Sequence, residues 1–463
     1  MLARLAAWDA RTMMPALGGP ARAQQTATLE RLMHERGTAD ELGEWIDAAE
    51  GLELGALDRD IVRIARRDWE RVRRVPADLA AELARAGAEG QDVWQAAREA
   101  GDFAAFAPAL ERNVELARAY AACFDAADPY DALLGEYDHG LTAARVQEVF
   151  ARLADALPPL VAEAAARGPG ERLALPVDAQ RAAVRGALRR LGADEDSWRI
   201  DESAHPFSTA VGPLDSRMTT RYEPGHPMAV IAAMHEFGHA LYERQIDLEL
   251  DRTNLGEGTS MSIHESQSKL WENHVARNRG FARVLAEELG RGGFAVEPGV
   301  LHAAMTRVEP SLVRVAADPV TYPLHIVLRF ELERALIDGT LAVSDLPGAF
   351  DDGMRRLLGI EVPGPALGVM QDAHWGAAAF GYFPSYALGC LIAAQLWETL
   401  VADVGEQDEA LATADVAAVR EWLRAHVHRF GRRIDTEPLV EAATGRGLDP
   451  EPFLRYARSL TST

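Results

Sequence analysis

The chain has 463 residues, 48% hydrophobic and 26% charged, with 71 acidic against 48 basic side chains and a formal net charge of −23. That much apolar material excludes a disordered or collagen-like chain. A surface so acidic repels phosphate backbones and anionic lipids, so nucleic acid is not expected as a partner.

The opening residues, MLARLAAWDARTMMP, begin an apolar run that Asp9 and Arg11 interrupt, and no signal peptide is read there. To about Leu191 the sequence is rich in Ala, Arg and Glu. Its apolar residues fall at helical spacing, as in Phe103, Phe106, Leu110 and Val114, whose steps of three and four lay one stripe along a helix face. Gly168-Pro169-Gly170, Gly290-Arg291-Gly292-Gly293 and Pro363-Gly364-Pro365 are turn signals between helices. The exception to helical patterning is Pro206 to Tyr222, where Thr, Val, Phe and Tyr surround a Gly-Pro turn signal and predict a small hairpin or edge sheet. Cys123 and Cys390 are the only cysteines, too few for a disulfide framework or a thiolate metal site, which fits a reducing compartment. The most apolar stretches, around Met228 to Met234 and Ala387 to Leu396, fall short of the ~20 residues that cross a bilayer. The expected architecture is one mostly α-helical, bundle-like domain over 1–463. Its N-terminal helical portion runs to about 200, the portion carrying the chemistry covers about 201–400, and C-terminal helices cover about 401–463.

The hairpin leads into a helix spanning His226 to Gln245, whose run MAVIAAM should be buried nearly all round. That helix carries His235-Glu236-Phe237-Gly238-His239, the HExxH pattern. Two histidines four apart on a helix stand about one turn apart, with Cβ atoms ~5–6 Å from each other, so both imidazoles can grip one ion. The intervening Glu236 is rotated about 100° from His235 and points beside the ion, where it can take a proton from water as general base. A catalytic zinc needs a third protein ligand. Glu265 is the first candidate, beyond a Gly-containing loop (Asn254 to Ser260) and near the start of a helix expected from Ile263 to Arg279. Glu272 and His264 are rivals, and Ser262-Ile263-His264-Glu265 also matches a capping box that would use the Glu265 carboxylate on a backbone N–H.

Five separated signatures then occur in order: Asp215-Ser216-Arg217-Met218-Thr219, HEFGH, His264-Glu265-Ser266-Gln267, Val313-Arg314-Val315-Ala316-Ala317-Asp318, and Gly368-Val369-Met370-Gln371-Asp372-Ala373-His374-Trp375. In these the chain resembles the metallocarboxypeptidases typified by thermostable carboxypeptidase Taq, with the patterns DxRxT, HExxH, HESQ, I/V-R-x-x-A-D and GxxQDxHW. The resemblance extends nearly end to end. It implies a helical fold with a deep active-site groove, a cytoplasmic homodimer, and release of single amino acids from peptide C-termini. It also makes Glu265 the preferred third ligand. In relatives the segment LAAWDARTMMP follows a further N-terminal helix.

A carboxypeptidase must recognise a free C-terminal carboxylate, which a guanidinium fork does bidentately. Arg314 is the first choice and Arg217 the second, against an internal ion pair such as Arg314 with Asp318 one helical turn away. Amide hydrolysis also calls for a donor to the developing oxyanion, for which His374, Tyr382 and Tyr386 are candidates. Asp215, Gln371 and Asp372 are read as partners that orient ligands or arginines. The resulting expectation is a carboxypeptidase with one Zn²⁺ per chain, for which Co²⁺ or Mn²⁺ can substitute. Two rival readings are an oligopeptidase that cuts within short peptides and a helical interaction protein with a vestigial metal site.

Overall fold

A computed structural model of the chain describes residues 1–168, 173–225 and 227–462, and at Met228 the backbone alone. Pro169 and Gly170 of the first expected turn, and His226 as the expected start of the HExxH helix, lie outside the described residues.

Helices of ten to two dozen residues dominate, as the 3.6-residue patterning requires. The Phe103 stripe lies on Phe103–Ala121, which Asp102 caps by accepting from the Ala105 N–H; Phe106, Leu110 and Val114 are all buried. This helix packs antiparallel against Ala77–Ala100. One continuous hydrophobic core runs from Ala97 to Ala457, and a small satellite joins Ile64 to Ile246, Leu250 and Leu255.

The hairpin forms as β2 (Ser208–Gly212) and β3 (Asp215–Thr220), paired antiparallel. A further strand, β1 (Trp198–Glu202), pairs parallel with β3, giving the order β1-β3-β2. Sequence patterning missed β1 because it is short and buries only Trp198. The sheet packs on the HExxH helix, Met228–Arg244, and Trp198 stacks on Phe237 of that helix at 5.2 Å.

The next helix departs from expectation. It is α-helical over Met261–Lys269 and widens to a π-helix over Leu270–Ala276, a distortion that often marks functional sites. Its N-cap is Ser260, whose hydroxyl accepts from Ile263 N–H. The capping box read at Ser262 is therefore wrong, and Glu265 is free for other work. The apolar stretch around Ala387 to Leu396 belongs to a longer helix than expected, Phe383–Val404. Its 22 residues are long and apolar enough to cross a bilayer by composition, but 61% of its apolar window is buried inside the protein. There it packs against the Glu265 helix as a core element.

Candidate active site

Glycines let the three central helices close on one another. A Cβ at Gly238, inside HEFGH, would lie 2.4 Å from the Gln267 carbonyl oxygen and 2.7 Å from Ser268 Cα. A Cβ at Gly389 would lie 2.5 Å from Glu265 Cγ. Only hydrogen fits at either position, so Glu265 is pressed between the HExxH helix and Phe383–Val404.

This packing gathers His235, His239 and Glu265, whose ligand atoms all lie within 4.8 Å of one another. Glu265 Oε2 is 3.8 Å from His235 Nε2 and 3.5 Å from His239 Nε2. Glu265 Oε1 is buried without a hydrogen-bond partner. The other nitrogen of each imidazole is occupied. His235 Nδ1 meets Glu272 Oε2 at 2.9 Å, and His239 Nδ1 meets His264 Nδ1 at 2.7 Å, whose Nε2 in turn meets Glu243 Oε1 at 3.0 Å. A carboxylate at the end of each chain accepts a hydrogen bond, which assigns N–H to the Nδ1 atoms of His235 and His239 and leaves their Nε2 lone pairs turned toward Glu265. Two imidazole nitrogens and one carboxylate, whose second oxygen is itself buried without a partner, are the donor set of a catalytic divalent-metal site. The residues fit such an ion. Glu272 and His264, the rival ligands, sit behind the histidines as their partners.

Burial pushes both imidazoles toward the neutral form. At His239 it prevails and the pKa falls to about 4. At His235 the carboxylates of Glu265 and Glu272 outweigh burial and the pKa rises. Glu265 is held at about 2, burial being overcome by His235, His239 and Lys269. Lys269, one turn on, bridges Glu272 at 2.8 Å and lies 3.8 Å from Glu265. Glu236 is buried beside the group. Burial raises its pKa, partly offset by His235 and by the Ser208 hydroxyl of β2. His235 and His239 keep 21% and 14% side-chain exposure against 6% for Glu265, so the site opens on the histidine side.

A second cluster adjoins the first through Lys269, whose Nζ lies 4.3 Å from the centre of the Tyr322 ring. Tyr322 OH accepts from Arg314 Nη1 at 3.2 Å. Arg314 is buried, and its Nε and Nη2 reach Asp372 Oδ1 at 2.9 and 2.8 Å. Arg329 holds the other Asp372 oxygen at 2.6 Å. The local pair between Arg314 and Asp318, the alternative to a carboxylate-binding role, does not form. Arg314 lies in a single 3-10 turn, Arg314–Ala316, and Asp318 instead accepts from the backbone N–H groups of Val320, Thr321 and Glu309. Gln371 accepts from Arg314 N–H and donates to the Leu312 and Leu367 carbonyls. Gln371 and Asp372 thus hold the backbone and guanidinium of Arg314. Arg217 is committed elsewhere, to a two-pronged pair with Asp215 at 2.7 Å and to Trp8.

The aromatic segment completes the surroundings. His374 Nε2 is 3.2 Å from Tyr386 OH, Arg314 lies over the Tyr386 ring at 4.9 Å, and Tyr382 packs edge-on to Tyr386 and Tyr137. Burial, with Arg314 nearby, lowers His374 to about 4. Its Nδ1 is buried without a partner. Burial also keeps Tyr382 and Tyr386 protonated.

The family profile described as carboxypeptidase Taq (M32) metallopeptidase matches residues 2–460. The chain belongs to this family. It is a metallocarboxypeptidase, a peptide hydrolase. It is 39% identical to thermostable carboxypeptidase 1 of Thermus thermophilus, covering 98% of this chain and 94% of that one, and 34% identical to carboxypeptidase 1 of Bacillus subtilis, covering 97% and 92%. The fold matches the crystal structure of a carboxypeptidase of the same family from Deinococcus radiodurans with a TM-score of 0.94 at 35% identity, covering 100% of this chain and 96% of that one. It matches Trypanosoma cruzi metallocarboxypeptidase 1 with a TM-score of 0.95 at 31% identity, over 100% and 96%.

The fold of this metallocarboxypeptidase also brings to the site four residues that the sequence signatures did not single out: Glu243, Lys269, Tyr322 and Arg329. Glu243 lies one turn beyond His239 on the motif helix, and Lys269 one turn beyond Glu265. That spacing was the available signal. Arg329 had none, since its partner comes from a distant loop.

Proposed function

We propose that the enzyme releases single residues from the C-termini of peptides, with one zinc ion per chain held by His235, His239 and Glu265 and with Glu236 as general base. Co²⁺ or Mn²⁺ can replace zinc with this donor set. Zinc in such a site supplies Lewis acidity to the scissile carbonyl and eases deprotonation of water. Glu236 takes the proton of the attacking water and passes it to the leaving amine; its burial makes it a stronger base than a solvated glutamate. The observation that supports this reading is the convergence of His235, His239 and Glu265 within 4.8 Å of one another, with the buried Glu236 next in the chain to His235.

Arg314 receives the substrate's terminal carboxylate. Its nitrogens are engaged by Asp372 and Tyr322, which uses three of the five N–H donors a guanidinium has. Two arginines around one Asp372 leave the cluster a net positive charge for an anionic chain end. Asp372 stays ionised, since the two arginines outweigh its burial. Arg217, steadied by Asp215, is the alternative anchor. His374, Tyr382 and Tyr386 supply the donor for the oxyanion, His374 as a neutral imidazole. The presence of only two cysteines fits a cytoplasmic setting, and the family resemblance alone supports a homodimer.

The test is mass spectrometry of an unstructured peptide and of its C-terminal amide after digestion. A ladder losing one C-terminal residue at a time from the free acid, with the amide resistant, is expected. Internal fragments would point to an oligopeptidase, and equal cleavage of the amide would remove the carboxylate anchor.

A further inference from the structure

We propose that Glu333 is a positioning residue that clamps both ends of the segment Trp375 to Gly381 and so sets His374 and Tyr382 for turnover. The inference rests on the assignment of those two side chains to the catalytic wall.

Glu333 is fully buried on the helix Tyr322–Asp338. Its Oε1 accepts from Trp375 Nε1 at 2.8 Å, and its Oε2 accepts from Gly381 N–H at 3.0 Å and from Tyr130 OH at 2.6 Å. Trp375 follows His374 and Gly381 precedes Tyr382, so one carboxylate fixes both hinges of the wall. The segment between them is irregular and includes Ala378 at φ +57°, a conformation that surrounding structure must impose on a non-Gly residue. Its far side is held without charge. Asn113 donates to the Trp375 and Gly376 carbonyls, and Gly90 admits the Gly376 carbonyl where a Cβ would come within 2.5 Å.

All three partners of Glu333 donate, so the geometry is written for an ionised carboxylate. A protonated one would bring a fourth donor, which only Tyr130 OH could turn to accept. The groups facing Glu333 are Tyr130 on Pro129–Leu134, Tyr137 beyond it, Arg329 on its own helix and the wall's Trp375 and Gly381. Arg334 acts on Tyr130, and Arg329 is already spent on Asp372. Burial nevertheless lifts Glu333 to about 7, against the pull of its three donors. The clamp therefore tightens as pH rises through neutrality and slackens below it.

The test is the pH profile of kcat and KM on an N-blocked dipeptide with a free C-terminus, from about pH 5.5 to about pH 9. Metal-loaded wild type, Glu333→Gln and Tyr130→Phe are compared, with bound metal measured throughout. The wild type should gain kcat across a midpoint near 7 that Glu333→Gln lacks. At high pH the Gln variant should turn over roughly tenfold or more slowly, with KM little changed. Tyr130→Phe removes one donor from the charged form and should move the midpoint upward. A merely structural Glu333 would lower stability and leave the midpoint in place. An unmoved midpoint in Tyr130→Phe, or the same midpoint in Glu333→Gln, overturns the clamp. Full turnover in both His374→Ala and Tyr382→Phe would instead bring down the wall assignment on which it rests.

Discussion

Helices carry the metal side of the site, and irregular backbone carries the wall beside it. On the metal side each candidate histidine ligand is backed by a chain of side chains ending in a carboxylate, His235 by Glu272 and His239 by His264 and Glu243. Lys269 ties Glu265 and Glu272 together along one helix face. In the wall the fixing contacts are to backbone groups and ring N–H, through Asn113, Gln371 and Glu333. A metal site needs its ligands' lone pairs aimed and their protons placed, which helical periodicity and paired charges do locally. A wall that presents donors to a substrate needs a shape that no regular element has, and the shape is imposed from distant helices.

The two sides should therefore fail differently. The largest expected effect is at Glu236→Gln, which should keep the metal and lose roughly 10²–10⁴-fold or more in turnover. Metal content falling in parallel would make Glu236 a ligand or a structural residue.

The two glycines that seat the sides separate them next. Gly389→Ala forces a Cβ to within 2.5 Å of Glu265 Cγ and should weaken metal binding. Gly376→Ala pushes on Trp94 and the Gly90 carbonyl at 2.9 and 3.1 Å and should lower kcat with the metal intact. Each should also cost about 1–3 kcal/mol of stability through overpacking, read by thermal melts. Metal loss in Gly376→Ala would erase the distinction.

His264→Phe cuts the relay behind His239 and should reduce metal affinity by roughly 10–100-fold, measured by competition with a chromogenic chelator, while Glu236 stays competent in the reloaded enzyme. The smallest effect is expected at Arg314→Lys, which keeps the charge and loses the planar fork. Its kcat/KM on free-acid peptides should fall by about tenfold, with the slight activity on amides unchanged. Equal loss on both would make Arg314 structural.

The helical body, the hairpin and the apolar motif helix were legible because each depends on spacing within one segment. HExxH was legible for the same reason. Local pattern put Glu265 first but left Glu272 and His264 open as rivals. All three lie within two turns of one helix, and only the approach of Gly238 and Gly389 selects which side chain lies between the histidines. The alternative weighed for Arg314, a pair with its neighbour Asp318, does not form, and its actual partner Asp372 was not legible because it is 58 residues away. Glu333 stood out from Glu331 and Arg334 in no respect, because burial on a helix that is polar on several faces is decided by what packs against it. Its role came from Trp375 and Gly381, which lie far along the chain.

The role of Glu265 as a metal ligand is tested most directly by Glu265→Gln. Wild type and variant are dialysed against a chelator, zinc is restored at equal concentration, and bound metal is measured beside the far-ultraviolet circular dichroism. The variant should keep the helical spectrum and bind zinc far more weakly than the wild type. Full zinc occupancy in Glu265→Gln would contradict the assignment and return Glu272 and His264 as the residues that complete the site.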